Sequence, residues 1–157
     1  MKPLLLSLLA ALLAPPAYAG PADDVPMYAV SLVGSPYQPG GTLPATGLDC
    51  SGFVDHVFRQ TLGIVLPHDS RAISETTQPL APGELAPGDL VFFNTLDHAF
   101  SHVGIYLGDD RFVHATSSRS GAVMISRLGD RYWRERFDGA RRVVPPIARP
   151  SAVAAFE

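Results

Sequence analysis

The sequence predicts an α+β fold with its helices first and an antiparallel sheet after them. Three observations point there. Phe53, Val54, Val57, Phe58 and Leu62 recur at steps of three and four, which puts them on one helix face. From residue 89 the apolar spacing changes to two, the spacing of strands. Turn residues interrupt that second region, and 157 residues is the length of one domain.

The elements follow in order. Residues 1–19 carry Lys2, an apolar run from Leu4 to Ala14, and Ala17-Tyr18-Ala19 before Gly20. That pattern predicts a secretory signal peptide. The run is short for the ~20 residues of a membrane span and is broken by Pro15 and Pro16. Residues 20–26 read as a linker and 27–35 as a short amphipathic helix. Residues 36–48 are dense in Pro and Gly and read as loop. The main helix starts after Asp49, a plausible N-cap, and closes at Gly63. Strands are expected at 89–94, 102–108, 111–117, 122–128 and 140–144, joined as a meander through turns at 108–110 and 118–121. Residues 145–157 read as a disordered tail.

Composition narrows the function classes. Lys2 is the sole lysine, so the chain beyond the signal carries 11 arginines against 15 acids. That balance does not point to nucleic acid. No apolar segment after the signal is long enough to span a membrane. The chain has one cysteine, which cannot form an internal bridge. Export exposes it to an oxidising compartment, where a free thiol is a candidate reactive group.

That thiol, Cys50, falls in the first turn of the main helix, where orphan amides carry partial positive charge. Such a site, with a histidine cation nearby, lowers a thiol pKa from ~8.5 to between ~3.5 and ~7.5. The same amides can hold an oxyanion. A buried inert cysteine is the alternative. Two histidines shift the balance. In "HVGIYLG", His102, Gly104 and Tyr106 share one face, and Val103, Ile105 and Leu107 the core face. A three-residue loop at 108–110 sets Gly104 opposite His114 and makes His102 and His114 diagonal neighbours, ~7–8 Å apart at the backbone. A two-residue loop sends them to opposite faces. Nucleophile, base and a third group fixing the base is what a thiol hydrolase needs. A zinc site from Cys50, His98, His102 and His114 is the rival, and no familiar ligand spacing supports it. His56 reads as an outward, solvated helix position.

The motifs resemble, in order, those of the NlpC-type cell-wall cysteine endopeptidases, a papain-like group. The blocks are "DCSGFV" at 49–54, "LPHDSRA" at 66–72, "LAPGDLVFF" at 85–93, "SHVGIYLG" at 101–108, "RFVHA" at 111–115 and "RYWRERFDGARRV" at 131–143. The resemblance spans residues 27–144 and implies a papain-like domain there. It implies Cys50 as nucleophile, His102 as base and His114 as the orienting residue. It implies that Tyr37 lines the site beside the thiol, and that Ser51, Asp69 and Ser70 line a substrate groove. For Asp69 and Ser70 a plain helix cap is the alternative. The chain departs from the pattern in a longer loop before Cys50, in Pro39, and in His68 where arginine is common.

The function then expected is an exported cysteine peptidase, secreted or periplasmic, acting without metal or cofactor. It would cut peptidoglycan stem peptides at the bond after γ-D-glutamate and before a diamino acid, through an acyl-enzyme on Cys50. A monomer is expected, with a regulatory or delivery partner as an option. Amidase or acyl-transfer chemistry on the same scaffold is one alternative, and a non-catalytic wall-binding role is another.

Overall fold

A computed structural model describes residues 21–117 and 121–145, with residues 21–23 as backbone alone. The signal-peptide segment and all but the first residue of the expected tail lie outside the described residues. The elements are α1 (Pro21–Ser31), β1 (Thr42–Leu43), β2 (Gly47–Leu48), α2 (Cys50–Leu62), α3 (Ser70–Thr76), β3 (Gln78–Pro79), β4 (Leu90–Phe93), β5 (His102–Gly108), β6 (Arg111–Thr116), β7 (Ala122–Arg127), α4 (Arg131–Arg134) and β8 (Phe137–Arg142).

The class is the α+β layout expected, and α2 runs between the predicted cap and stop. Asp49 Oδ1 accepts the Gly52 amide at 2.7 Å, satisfying an orphan donor of the first turn. Gly63 ends the helix in the left-handed region, at φ 66°. The predicted apolar stripe is the buried one: Phe53, Val54, Val57 and Phe58 pack against Val103, Ile105, Val113 and Ala115 of the sheet. Each such side chain contributes about 1.5–3 kcal/mol by leaving water. Leu107 is only partly buried, at the rim of this cluster.

α1 departs from expectation. It begins at Pro21, within the expected linker, and ends at Ser31. Pro26 and two aspartates are poor helix formers, but Val25 and Ala29 are buried in the main cluster. Packing overrides weak local propensity. The turn after α1 docks on β7: Gly34 donates to the Val123 carbonyl and Val123 to the Ser35 carbonyl, both at 2.9 Å.

The main sheet is antiparallel, with strand order β3-β8-β4-β5-β6-β7. β4 to β7 form the expected meander. β8 leaves it and returns beside β4, and it runs from Phe137 to Arg142 where 140–144 was expected. Asp89, buried at the start of β4, holds it there by taking both Nε and a terminal nitrogen of Arg142 at 2.7 Å. The β1–β2 ribbon lies within the segment expected as loop, and the short β3 adds an edge strand beside β8.

The β5–β6 turn corrects the loop count. Asp109 and Asp110 have φ of 49° and 63° and form a two-residue turn between Gly108 and Arg111. This is the left-handed pair that strand twist favours in hairpins. A bulge between Tyr106 and Gly108 absorbs one residue, so Tyr106 still pairs with Phe112 and Ile105 with Val113. The next step brings Gly104 against His114. A methyl there would lie 3.1 Å from the His114 Cβ and 2.9 Å from the Val113 carbonyl oxygen.

A second glycine is as constrained. A Cβ on Gly52 would collide with the Gly41 carbonyl, a backbone atom that cannot swing away. Gly52→Ala is therefore expected to cost about 1–3 kcal/mol in urea unfolding, the range for overpacking a tight contact. An unchanged midpoint would show that the 40–41 loop moves freely off the helix.

Candidate active site

α2, β5 and β6 converge at one end of the sheet. Cys50 is the first residue of α2, half-buried and unbridged. Asp49 fixes the approach to it. Its Oδ2 accepts the Gly40 amide at 3.0 Å, and its Oδ1 accepts both the Gly52 amide and the Ser51 hydroxyl. Backbone amides of Val103, Ser51 and Cys50 itself act on the sulfur.

His102 opens β5 and is buried. Its Nε2 lies 2.9 Å from Nδ1 of His114, which is fully buried. Nε2 of His114 lies 2.9 Å from the Ser126 hydroxyl on β7. The rings of His102 and His114 meet edge to face. Trp133 of α4 stacks on His102 at 5.5 Å between centroids and meets His114 edge-on at 4.8 Å. Phe112 stacks on His114 at 4.8 Å. The histidine pair is thus walled by aromatic rings on the face of the sheet away from the α2 stripe. With Nε2 of His102 committed to His114, Nδ1 is the nitrogen left for Cys50.

A cavity of about 270 Å³ joins these groups, with Tyr37, Asp49, Cys50, His102, Thr116 and Trp133 among its lining residues. Thr95, Leu96 and Ser101 form another wall. The Ser101 hydroxyl takes the Thr95 and Leu96 amides and pins that loop. Hollows of about 420 and 380 Å³ lie elsewhere, at Tyr28 and Gln60 and at Asp97 and Glu135, and neither holds a nucleophile beside a base.

The electrostatics revise one expectation. Burial, and then the Asp49 carboxylate, push the Cys50 thiol up to about 11 despite the amides at the helix start. Burial pulls His102 down to about 4. Burial and then His102 pull His114 down to about 2. Near pH 7 the resting site is a thiol beside a neutral imidazole, where the helix position alone had suggested a thiolate. Burial also raises the Tyr37 phenol, with Cys50 and Asp49 adding to it, so its hydroxyl stays a donor.

The structure brings together Cys50, His102, His114 and Tyr37. Ser51 is buried and spends its hydroxyl on Asp49. Asp69 and Ser70 are not among the cavity-lining residues. Asp69 caps α3, taking the Ala72 amide at 2.8 Å, and the Ser70 hydroxyl donates to the Phe100 carbonyl at 2.6 Å. These bonds anchor the starts of α2 and α3, and the groove roles that the resemblance implies for the three residues stand as a proposal for the substrate-bound site. His98 lies at an exposed loop, its Nδ1 at 3.3 Å from the Ala99 carbonyl oxygen. Among the described residues no three His, Cys, Asp or Glu side chains gather as a metal cage. His56 is not simply solvated: its Nε2 lies 3.1 Å from the Tyr28 hydroxyl, joining α1 to α2.

Sequence reasoning missed Ser126 and Trp133. Ser126 carried a signal. His102, His114 and Ser126 are 12 residues apart at each step. His114 pairs with Met124, so Ser126 is its diagonal neighbour on the same face.

The model of the NlpC/P60 family matches residues 34–142. The chain is 44% identical over 128 residues to the gamma-DL-glutamyl hydrolase of Bacillus subtilis, covering 79% of this chain and 30% of that protein. It is 41% identical over 108 residues to the murein DD-endopeptidase MepS/murein LD-carboxypeptidase of Escherichia coli, covering 69% of this chain and 55% of that protein. It therefore spans from about a third to about half of these relatives' lengths. Among solved structures, a Staphylococcus aureus NLP/P60-family protein similar to lipoprotein superposes with a TM-score of 0.71 at 33% identity, over 85% of this chain and 45% of that one.

Two measurements follow from the charge states. Alkylation of Cys50 by iodoacetamide is expected to climb between pH 8 and 10, since the thiolate population grows toward a pKa of about 11. A rate already level from pH 5 to 7 would mean a resting thiolate. The histidines also predict acid lability. Their folded values lie below the ordinary 6.5, so on acidification the unfolded chain takes the protons first. Stability is complete above pH 6.5 and falls as pH drops below it, by roughly 2 kcal/mol per histidine at pH 5. Urea midpoints at pH 7.5 and 5 test this, and a flat profile in the wild type would contradict it. His114→Asn should lose about half of the dependence.

Proposed function

The chain belongs to the NlpC/P60 family, and on that premise we propose that it is a peptidoglycan hydrolase working through a thiol acyl-enzyme. The observation that carries this reading is a helix-start cysteine sharing a cavity with an imidazole whose far nitrogen is held at 2.9 Å by a second, buried imidazole.

In this reading His102 takes the Cys50 proton on Nδ1 as the sulfur attacks an amide carbonyl. Coupling the two steps suits a thiol that is not ionised beforehand. The imidazolium then gives its proton to the leaving amine, and a thioester remains on Cys50. Water, deprotonated by the now neutral His102, hydrolyses it and regenerates the thiol. His114 holds the ring of His102 in place throughout. The Tyr37 hydroxyl and the amides at the start of α2 are the donors available to the developing oxyanion.

The names of the relatives support this substrate class. One is named for cleaving γ-glutamyl bonds and the other for cleaving murein peptides. We favour the bond after γ-D-glutamate and before a diamino acid in the stem peptide. Asp69, at the start of α3, is the carboxylate we propose for an ammonium group on the substrate. We propose export to the cell envelope on the signal-peptide pattern of residues 1–19, and among the described residues no helix is long and apolar enough to cross a membrane. We expect a monomer, with delivery to the wall by a partner. Amidase or acyl-transfer chemistry shares every step to the thioester and differs only in the acceptor.

The purified protein and its Cys50→Ala form, incubated with peptidoglycan and soluble muropeptides, should differ by mass spectrometry in truncated stems and new amino termini. Cys50→Ala should lower turnover by roughly 10⁴-fold or more while staying folded. His102→Ala should do nearly the same, and His114→Ala should leave residual activity. Products that persist in Cys50→Ala would refute the thiol mechanism. A folded wild type that binds stem peptides without cutting them would favour a wall-binding role.

A further inference from the structure

We infer that Ser126 is a positioning residue: by accepting the Nε2 proton of His114, it fixes which nitrogen of that ring faces His102. It thereby keeps the Nδ1 lone pair of His102 free for Cys50. The inference rests on the thiol–imidazole reading proposed above.

The geometry is a chain of three side chains across three strands, with both links at 2.9 Å. A neutral imidazole has one N–H and one lone pair, so the chain has only two self-consistent directions. In one, His102 donates from Nε2 to Nδ1 of His114, and His114 donates from Nε2 to Ser126. His102 then keeps an unprotonated Nδ1, as a base toward Cys50 requires. In the other, Ser126 donates to Nε2 of His114, His114 donates from Nδ1 to Nε2 of His102, and His102 carries its proton on Nδ1. A His102 in that form cannot take the thiol proton. The ring that decides between them is sealed under Phe112 and Trp133, and its outer nitrogen is partnered by Ser126.

Removing the hydroxyl leaves the His114 Nε2–H without its partner. The His114 proton then favours Nδ1, where it still meets His102, and His102 is pushed into the unproductive tautomer. Serine suits this place because it accepts without bringing a charge beside two neutral imidazoles. Ser126 is half-buried on β7, whose backbone register with β6 does not depend on the side chain. Ser126→Ala is thus a mild change to the fold. Ser126→Thr keeps the hydroxyl and suits a strand.

The test pairs long-range ¹H–¹⁵N spectra of the histidine rings with steady-state kinetics on a muropeptide, for the wild type, Ser126→Ala and Ser126→Thr. Thermal melts run in parallel. The wild type should show both histidines protonated on Nε2. Ser126→Ala should show mixed tautomers at both rings, with kcat down about tenfold, a part of the ~10²–10⁴ that acid–base catalysis contributes, and with KM within twofold. Ser126→Thr should restore both readouts. Unchanged tautomers in Ser126→Ala would overturn the inference. So would equal losses in the two variants, or a kcat loss matched by a collapse in Tm. A wild type that shows the tautomer shift on substitution but no turnover of its own would refute the peptidase reading and leave the role of Ser126 standing.

Discussion

One carboxylate organises the helix start that carries Cys50. Asp49 stands between the 40–48 ribbon and α2, and its two oxygens take the Gly40 amide, the Gly52 amide and the Ser51 hydroxyl. The cap starts the helix at Cys50, and the loop it ties down packs so closely that only glycine fits at position 52. Burial, and after it the same negative charge beside the sulfur, resist its ionisation. The carboxylate that places the thiol therefore adds to the burial that keeps it protonated, and in the proposed mechanism activation passes to the imidazole across the cavity.

That imidazole depends on register. His102 and His114 share a face because the bulge after Tyr106 returns the residue that the short Asp109–Asp110 turn removes. Without the bulge every side chain of β5 would face the other way relative to β6. Gly104 completes the arrangement by leaving the space that His114 fills. Turn chemistry, bulge and glycine each look like local detail, and together they set the 2.9 Å contact between the histidines.

Much of this could be read in the sequence, for physical reasons that differ by element. α2 was legible because a sustained apolar stripe, a capping aspartate and a closing glycine all agree. β5 and β6 were legible because alternation over six or seven residues fixes which side chains share a face. The pairing of the histidines was anticipated, but from the wrong loop: a count of residues cannot distinguish a three-residue loop from a two-residue turn with a bulge. α1 was mis-bounded because its helicity comes from Val25 and Ala29 burying against the core, not from local preference. The cap at Asp69 was legible from local chemistry alone, whereas a groove role for Asp69 and Ser70 came only with the resemblance. Ser126 lay two positions along from the partner of His114, and nothing local distinguishes it from a surface serine.

The aromatic wall explains why the pair works as neutral rings. Phe93, Phe112 and Trp133 enclose His102 and His114 on the sheet face opposite α2. Water excluded there cannot stabilise an imidazolium, which is why both histidines are held well below their ordinary range. In the proposed mechanism an imidazolium formed on His102 during attack is then a high-energy species with two ways to discharge: back to sulfur, or forward to a leaving nitrogen. A buried carboxylate in the place of His114 would hold the cation and slow its return. A neutral histidine orients the ring without trapping the proton. On the proposed mechanism the all-histidine pair orients the base without stabilising the imidazolium, so taking the proton from sulfur is the uphill step and passing it on to the leaving nitrogen the downhill one.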